Sequence, residues 1–548
     1  MSSPFDIADR LTEAYADLDP LEATITGIAG REHLPTDFSP DGHHARADMF
    51  RTFRKEMGAH LGHDDPVQRF AAEVVTGWLD TRLAEHDAGK WTWDVNHIYS
   101  PFQWICDVFD VMDKETAQGW SDITARLESV PFMLEGFEQS LRVGLADGRV
   151  NARRQIESVI EQARESAGDE SRFVALLEEA GKAGVDTLPV ADAVQKARAA
   201  CGVFADFLSD VLLPEAPDAD GAGLERYRMG VDRYIGADLD LEETYAWGWE
   251  EVRRLREEMD RTAAQVDPDK TLAEVIELLE TDPARSAATR EEFVEFVSAI
   301  QDQAIDQLDE THFDLTPEMK RITVNIAPPG GPLGAWYVGP SEDWSRAGSI
   351  WYAPGSRQSL PYWQEVSTAY HEGFPGHHLQ VCYALAEQER LSRFHRMYVW
   401  YSGAGEGWAL YAERLMDELG YFEKPEYRLG LLSSQLFRAT RVVVDIGCHL
   451  GLPIPVDAPL HAGEDWSYER AVDYMEQIGL QARDVAESEV KRYLGWPAQA
   501  ISYKVGEREI LAMREAARSA PGFDLKEFHT RMLRAGAIRI DQLWKVMS

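Results

Sequence analysis

The chain predicts a mainly α-helical fold with one small antiparallel sheet, and three observations carry that expectation. Helix-period hydrophobic patterning dominates residues 65–320 and returns from 364 to the end. Between 321 and 362 the pattern changes to short alternating or aromatic runs bounded by Pro and Gly. Directly after that change, residues 370–380 read Tyr-His-Glu-Gly-Phe-Pro-Gly-His-His-Leu-Gln, three histidines within eight positions in a helix-compatible apolar setting.

Taken in order, an amphipathic helix opens the chain near residue 5, and a Pro-, Gly- and His-containing loop follows at 33–44. Helical periodicity then marks 67–85, 117–146, 150–167, 190–213 and 241–265. Breaks fall at Pro214-Glu-Ala-Pro217, Asp267-Pro268 and Asp282-Pro283. Strands are expected at 321–326, 334–338 and 348–352, placing the small sheet just before the histidine block. Helices resume afterwards, notably at 406–419 and 429–450. A division into a helical region 1–315 and a region 316–548 follows from this change of character. The boundary is soft, and one continuous body is equally compatible with 548 residues.

The balance of 55 Lys plus Arg against 95 Asp plus Glu gives a formal charge of −40. Such a field repels nucleic acid and anionic membranes and disfavours strongly acidic substrates. Cys106, Cys201, Cys382 and Cys448 lie far apart without C-x-x-C spacing, so neither a disulfide framework nor a cysteine zinc site is expected. The first residues lack a basic segment followed by an apolar run, and no stretch approaches eighteen uncharged apolar residues. A cytoplasmic location is expected.

The histidine block supplies the nitrogen and carboxylate groups of a hydrolytic zinc site. Its spacing is unusual. The common H-E-x-x-H pattern places two histidines four residues apart on one helix face. Here His377 and His378 follow His371 by six and seven residues. On an unbroken helix six residues turn roughly 600°, which points His377 about 120° away from His371. Pro375 intervenes: its ring would clash with the carbonyl four residues back, that of His371. Gly376 adds backbone freedom. A bulge or kink at Phe374-Pro375-Gly376 is therefore expected to swing His377 to the metal, with His378 as the alternative ligand.

Three further segments accompany this block. Residues 405–413 read Gly-Glu-Gly-Trp-Ala-Leu-Tyr-Ala-Glu, 496–506 read Trp-Pro-Ala-Gln-Ala-Ile-Ser-Tyr-Lys-Val-Gly, and 234–249 contain Leu-Glu-Glu-Thr-Tyr-Ala-Trp-Gly-Trp. Together with H-E-x-x-P-G-H-H-L-Q they resemble the DUF885 family, large bacterial proteins grouped with zincin-like metallopeptidases. The resemblance covers nearly the whole chain and implies a large zincin-like helical fold. It departs at Ala498, where members usually carry Gly.

A catalytic zinc takes three protein ligands and an open position. Glu406, 35 positions after His371, is the candidate third ligand, and the resemblance favours it. As an alternative, it is a first-turn carboxylate favoured by the helix dipole. Glu413, seven residues on, either orients a ligand histidine or is a solvated charge. Glu372 is better placed as general base than as ligand. Arg438, Arg441, Asp445 and His449 form a narrow polar stripe on the otherwise apolar 429–450 helix. An arginine there either binds a substrate carboxylate bidentately or belongs to an Arg–Asp pair that orders the bundle. Tyr503, beside Lys504 in a loop-like segment, is an oxyanion donor by resemblance to zincins with late tyrosines, or else an aromatic plug. The function expected is a zinc metallopeptidase acting on short peptides, with a small-molecule amide hydrolase or a non-catalytic metal-binding protein as alternatives.

Overall fold

The computed structural model describes residues 2–327, 334–355, 357 and 359–548. The chain is mainly helical and divides into two compact units. The first comprises Met1–Met229 with Ser392–Tyr398 and Ser488–Pro497. The second comprises Gly230–Leu391, Val399–Glu487 and Ala498–Ser548. A boundary at 315/316 falls inside the second unit. It followed a change from helices to strands, whereas the units follow cores: helix Leu241–Val266 buries its apolar face against Pro425–Leu450.

Helix starts follow local chemistry. Ser3, Asp65, Thr116, Asp186, Asp240 and Thr271 each accept a backbone N–H of the first turn. Ser3 and Thr271 complete capping boxes with Asp6 and Glu274. Proline at the first helical position sets the starts of Pro66–Asp87 and Pro425–Leu450. The expected helices at 67–85, 117–146, 150–167 and 241–265 appear as Pro66–Asp87, Ala117–Ala146, Arg153–Ala167 and Leu241–Val266.

In the first unit, Ala117–Ala146 and Thr187–Phe207 enclose a core that includes Ile123, Leu127, Phe137, Cys201 and Phe204. Arg126, fully buried, donates to Thr24 Oγ1 at 3.1 Å and to the Arg31 carbonyl at 2.9 Å.

In the second unit, Val252, Leu255 and Met259 meet Leu429, Leu432 and Leu436. Burying each such side chain contributes about 1.5–3 kcal/mol. The small sheet has strands Ile322–Ile326, Gly334–Val338 and Gly348–Ala353, with the last in the centre. It is mixed rather than antiparallel. Gly334–Val338 pairs antiparallel with Gly348–Ala353, and Ile322–Ile326 pairs parallel on the other side. The middle segment in sequence takes an outer position, so the flanking strands run the same way. Ile350 and Tyr352 pack the sheet onto Phe293, Val297 and Ala369. That contact fixes the sheet beside the helix that carries His371. Among the described residues, no helix is long and apolar enough to cross a membrane.

Candidate metal centre

The histidine block folds as two helices, Tyr362–Glu372 and His377–Ala386, joined by residues 373–376. This is a full break rather than the expected bulge or kink. Gly373 and Gly376 lie at ψ −139° and −126°, far from helical values, and the Phe374–Pro375 peptide is cis. Side chains pin the break. Gln301 donates to the Ala369 carbonyl at 2.8 Å and accepts from Phe374 N–H at 2.6 Å. Trp408 Nε1–H donates to the Pro375 carbonyl at 2.9 Å.

Gly376 is required by space. A Cβ there would stand 2.0 Å from the His371 carbonyl oxygen and 2.4 Å from that of Tyr370. Gly376→Ala is expected to destabilise the chain by about 1–3 kcal/mol and to displace His377. Urea denaturation together with metal-uptake measurements on parent and variant checks both effects.

The break brings His371, His377 and Glu406 together, with one ligand atom from each lying within 4.8 Å of the others. His371 Nε2 is 3.4 Å from Glu406 Oε2, and His377 Nε2 is 3.3 Å from the same oxygen. His378 turns away. Its Nε2–H donates to the Met319 carbonyl at 2.8 Å, and its Nδ1 accepts from the Tyr337 hydroxyl at 2.9 Å. Both of its nitrogens are thus occupied, which leaves His377 as the second imidazole of the cluster.

Glu406 sits in the second turn of helix Ser402–Glu418, not at a helix start. The helix-dipole reading of this residue therefore falls. Gly407 lets the Glu406 helix approach helix Ser502–Arg518 closely, since a Cβ there would meet Gly506 Cα at 2.6 Å. Glu413, on the same face as Glu406, is fully buried, not a solvated charge. Its Oε1 accepts from His371 Nδ1–H at 2.7 Å and its Oε2 from the Ser367 hydroxyl at 2.6 Å. With a proton held on Nδ1 by Glu413, Nε2 points into the cluster, where a bound cation would take the place of its second proton.

The electrostatics favour positive charge at this point. Burial and Arg438 push His371 toward its neutral form, yet Glu406 and Glu413 outweigh them and hold it up at about 9. Burial would raise Glu406, but the two imidazoles keep it well below the usual carboxylate range. Burial holds Glu372 above its ordinary value, partly offset by His371 and His377.

The cluster opens into a cavity of about 540 Å³ lined by Trp336, Tyr337, Glu372, Trp400, Arg438, Arg441 and Tyr503, among others. Strand Gly334–Val338 forms one wall. Tyr503 and Lys504 lie in the first turn of helix Ser502–Arg518, not in a loop. Tyr503 faces the cavity. Lys504 is buried in an ion-pair network with Glu507 at 2.5 Å and Glu251 at 3.4 Å. Ala498 occupies the left-handed region at φ 66°, where glycine is the unstrained residue. Its N–H donates to Asp445 Oδ2 at 3.1 Å.

Sequence reasoning passed over Trp400, Tyr337 and Gln301. Trp400 stands just before the Gly403-Ala-Gly405 run, the one local signal that could have marked it.

Two solved structures share this fold. One, from Colwellia psychrerythraea and provisionally termed a lipoprotein, superposes with TM-score 0.86 at 23% identity, covering 99% of this chain and 98% of its own. The other, from Shewanella oneidensis and also provisionally termed a lipoprotein of unknown function, gives TM-score 0.76 at 18% identity, with both chains fully covered. A comparison with curated proteins finds no match. The family model described as "Bacterial protein of unknown function (DUF885)" matches residues 20–547, and the chain belongs to that family.

Proposed function

We propose that this protein is a zinc-dependent hydrolase with a zincin-like catalytic core, acting on a peptide or amide bond. One observation carries the reading: the spacing of the His371, His377 and Glu406 donor atoms. Ligands about 2.0–2.1 Å from a tetrahedral zinc stand roughly 3.3–3.4 Å apart. The two imidazole nitrogens lie 3.4 and 3.3 Å from the Glu406 oxygen. Two neutral nitrogens and one carboxylate, with Glu413 orienting His371, form a donor set suited to catalytic zinc.

Zinc held there would supply Lewis acidity toward a carbonyl and make a water molecule more acidic. The chain's own groups do the rest. Glu372 neighbours His371, lines the cavity and takes a proton from the attacking water, then returns it to the leaving nitrogen. Tyr503, which lines the same cavity, donates from its hydroxyl to the oxyanion that develops on the carbonyl. Among the described residues, strand Gly334–Val338 pairs along one edge alone, with Gly348–Ala353. Its other edge can align an extended substrate by backbone hydrogen bonds. A cavity of this size suits short peptides better than folded proteins. A cytoplasmic location belongs to the same proposal, supported by four free cysteines.

The test joins metal analysis to turnover. Chelator-stripped protein is expected to regain one zinc per chain, and His371→Ala and Glu406→Ala to lose that stoichiometric uptake while staying folded by circular dichroism. A screen of short peptides with reloaded protein should reveal cleavage. Equal zinc retention by both variants would remove the site. Intact zinc with no peptide cleaved would move the substrate to a small non-peptide amide.

A further inference from the structure

We propose that Arg438 and Arg441 form a carboxylate-recognising wall, so that the substrate is a molecule with a free carboxylate, in the simplest case a short peptide presenting its C-terminal α-carboxylate. The bond that is cut rests on the hydrolase reading above; the carboxylate site does not.

The two arginines stand three residues apart on one face of helix Pro425–Leu450, and both line the cavity. Aromatic rings set their planes. The Arg441 guanidinium lies 4.1 Å from the Phe437 ring centroid and 4.7 Å from that of Tyr503; Arg438 lies 5.9 Å from Tyr503. Arg438 is incompletely satisfied by the protein. Its Nη1–H donates to the Ser434 carbonyl at 3.2 Å, and its Nη2 is 3.9 Å from Glu413 Oε1. Its buried Nε has no partner among the described residues. Glu413 is a shared counterion, already engaged by His371 and Ser367. A guanidinium held this way on a cavity wall is completed by a planar bidentate acceptor, which is what a carboxylate offers.

Position narrows the substrate further. His371 Nδ1 and Arg438 Nη2 address the same Glu413 oxygen, at 2.7 and 3.9 Å. Arg438 and His371 therefore border the same end of the cavity, which suits a substrate cut close to its carboxylate end. The bond so presented is the last peptide bond. Its hydrolysis breaks the amide C–N bond and forms a C–O bond to the water oxygen. One water proton passes through Glu372 to the leaving nitrogen, and the other ionises from the new acid. The products are a free amino acid and a shortened peptide, with no change of oxidation state. The overall charge of −40 opposes anions at long range. Salt screens that field beyond about 8–10 Å, so the local arginines dominate inside the cavity.

The test compares glycyl-phenylalanine with its C-terminal amide, titrated calorimetrically into chelator-stripped full-length protein. The free acid is expected to bind on the order of tenfold to a hundredfold tighter, the effect of a charge-assisted pair. Arg438→Gln and Arg441→Gln should each reduce that preference. Equal binding of acid and amide by the parent overturns the proposal, even if zinc-loaded protein cleaves peptides. So does an undiminished preference in both folded arginine variants, which would leave these residues the task of ordering the bundle. A strong preference for the acid in a protein that cleaves no peptide sustains the carboxylate site and sinks the peptidase reading. Should neither arginine variant fold, the acid-to-amide ratio of the parent decides.

Discussion

Glu372→Gln is expected to lower kcat for a cleaved peptide by about 10²–10⁴-fold, the usual worth of a general base, while zinc content stays at the parent level. The two readouts part because Glu372 lies outside the donor cluster of His371, His377 and Glu406 yet lines the same cavity. The amide keeps the size and hydrogen-bonding shape of the carboxylate but cannot take up a proton at neutral pH. The sign of the pH dependence follows. Burial holds the Glu372 carboxyl above its ordinary value, so kcat/KM should climb with rising pH through an apparent pKa above the usual glutamate range. That ascending limb should vanish in the glutamine variant. Steady-state kinetics from pH 4 to 8 with zinc determination on the same samples checks both parts. A variant that keeps the parent rate would assign proton transfer to another group.

The cluster was legible because its chemistry is written in residue types: two histidines, a glutamate on a later helix, and a Pro-Gly pair where a helix cannot continue. What spacing could not decide was which of His377 and His378 turns inward. That choice depends on the Met319 carbonyl and the Tyr337 hydroxyl, 59 and 41 residues away, which occupy both nitrogens of His378. The strand positions were legible from Pro and Gly punctuation, but the strand order was not. Nothing local in Ile322–Ile326 says that it pairs with Gly348–Ala353 rather than with the segment that follows it. The same limit applies to Lys504: Glu507 is one turn away on its own helix, but its other partner, Glu251, lies on a helix distant in sequence. The helix that carries Glu406 was expected to begin at 406, whereas it begins at Ser402 and takes residues 403–405 into its first turn. Their small size permits the close packing expected of them, Gly403 against Ile235 and Gly405 against Trp400.

Two buried histidines make the second unit sensitive to acid, and this effect is separable from catalysis. Burial pushes His378 down to about 4, partly opposed by its bond to the Met319 carbonyl. Burial, with Arg514 and His312 nearby, pushes His529 down to about 3. The latter ring stacks on Phe313 at 5.3 Å, and its Nε2 lies 2.7 Å from the Tyr411 hydroxyl. Both side chains fold neutral, whereas an unfolded histidine titrates near 6.5. As pH falls below that value the unfolded chain gains protons that the folded chain refuses. The contribution to stability is complete above pH ~6.5 and is lost progressively toward the folded values. From pH 7 to 4.5 the loss is about 2–3 kcal/mol for each histidine, because each pH unit crossed below 6.5 costs about 1.36 kcal/mol. Glu365, raised to about 7 by burial, takes up protons in the folded state over the same interval and works in the opposite direction. His371, held up at about 9, has its stabilising effect complete below pH ~6.5 and does not alter the slope there. The difference between parent and variant isolates the histidines. His378→Gln and His529→Gln, neutral at every pH and able to accept the tyrosine hydrogen bonds, should each flatten the acid limb by about 2–3 kcal/mol in urea titrations at pH 7 and 4.5. Parallel pH curves for parent and variants would show that these imidazoles accept protons in the folded chain as readily as in the unfolded one.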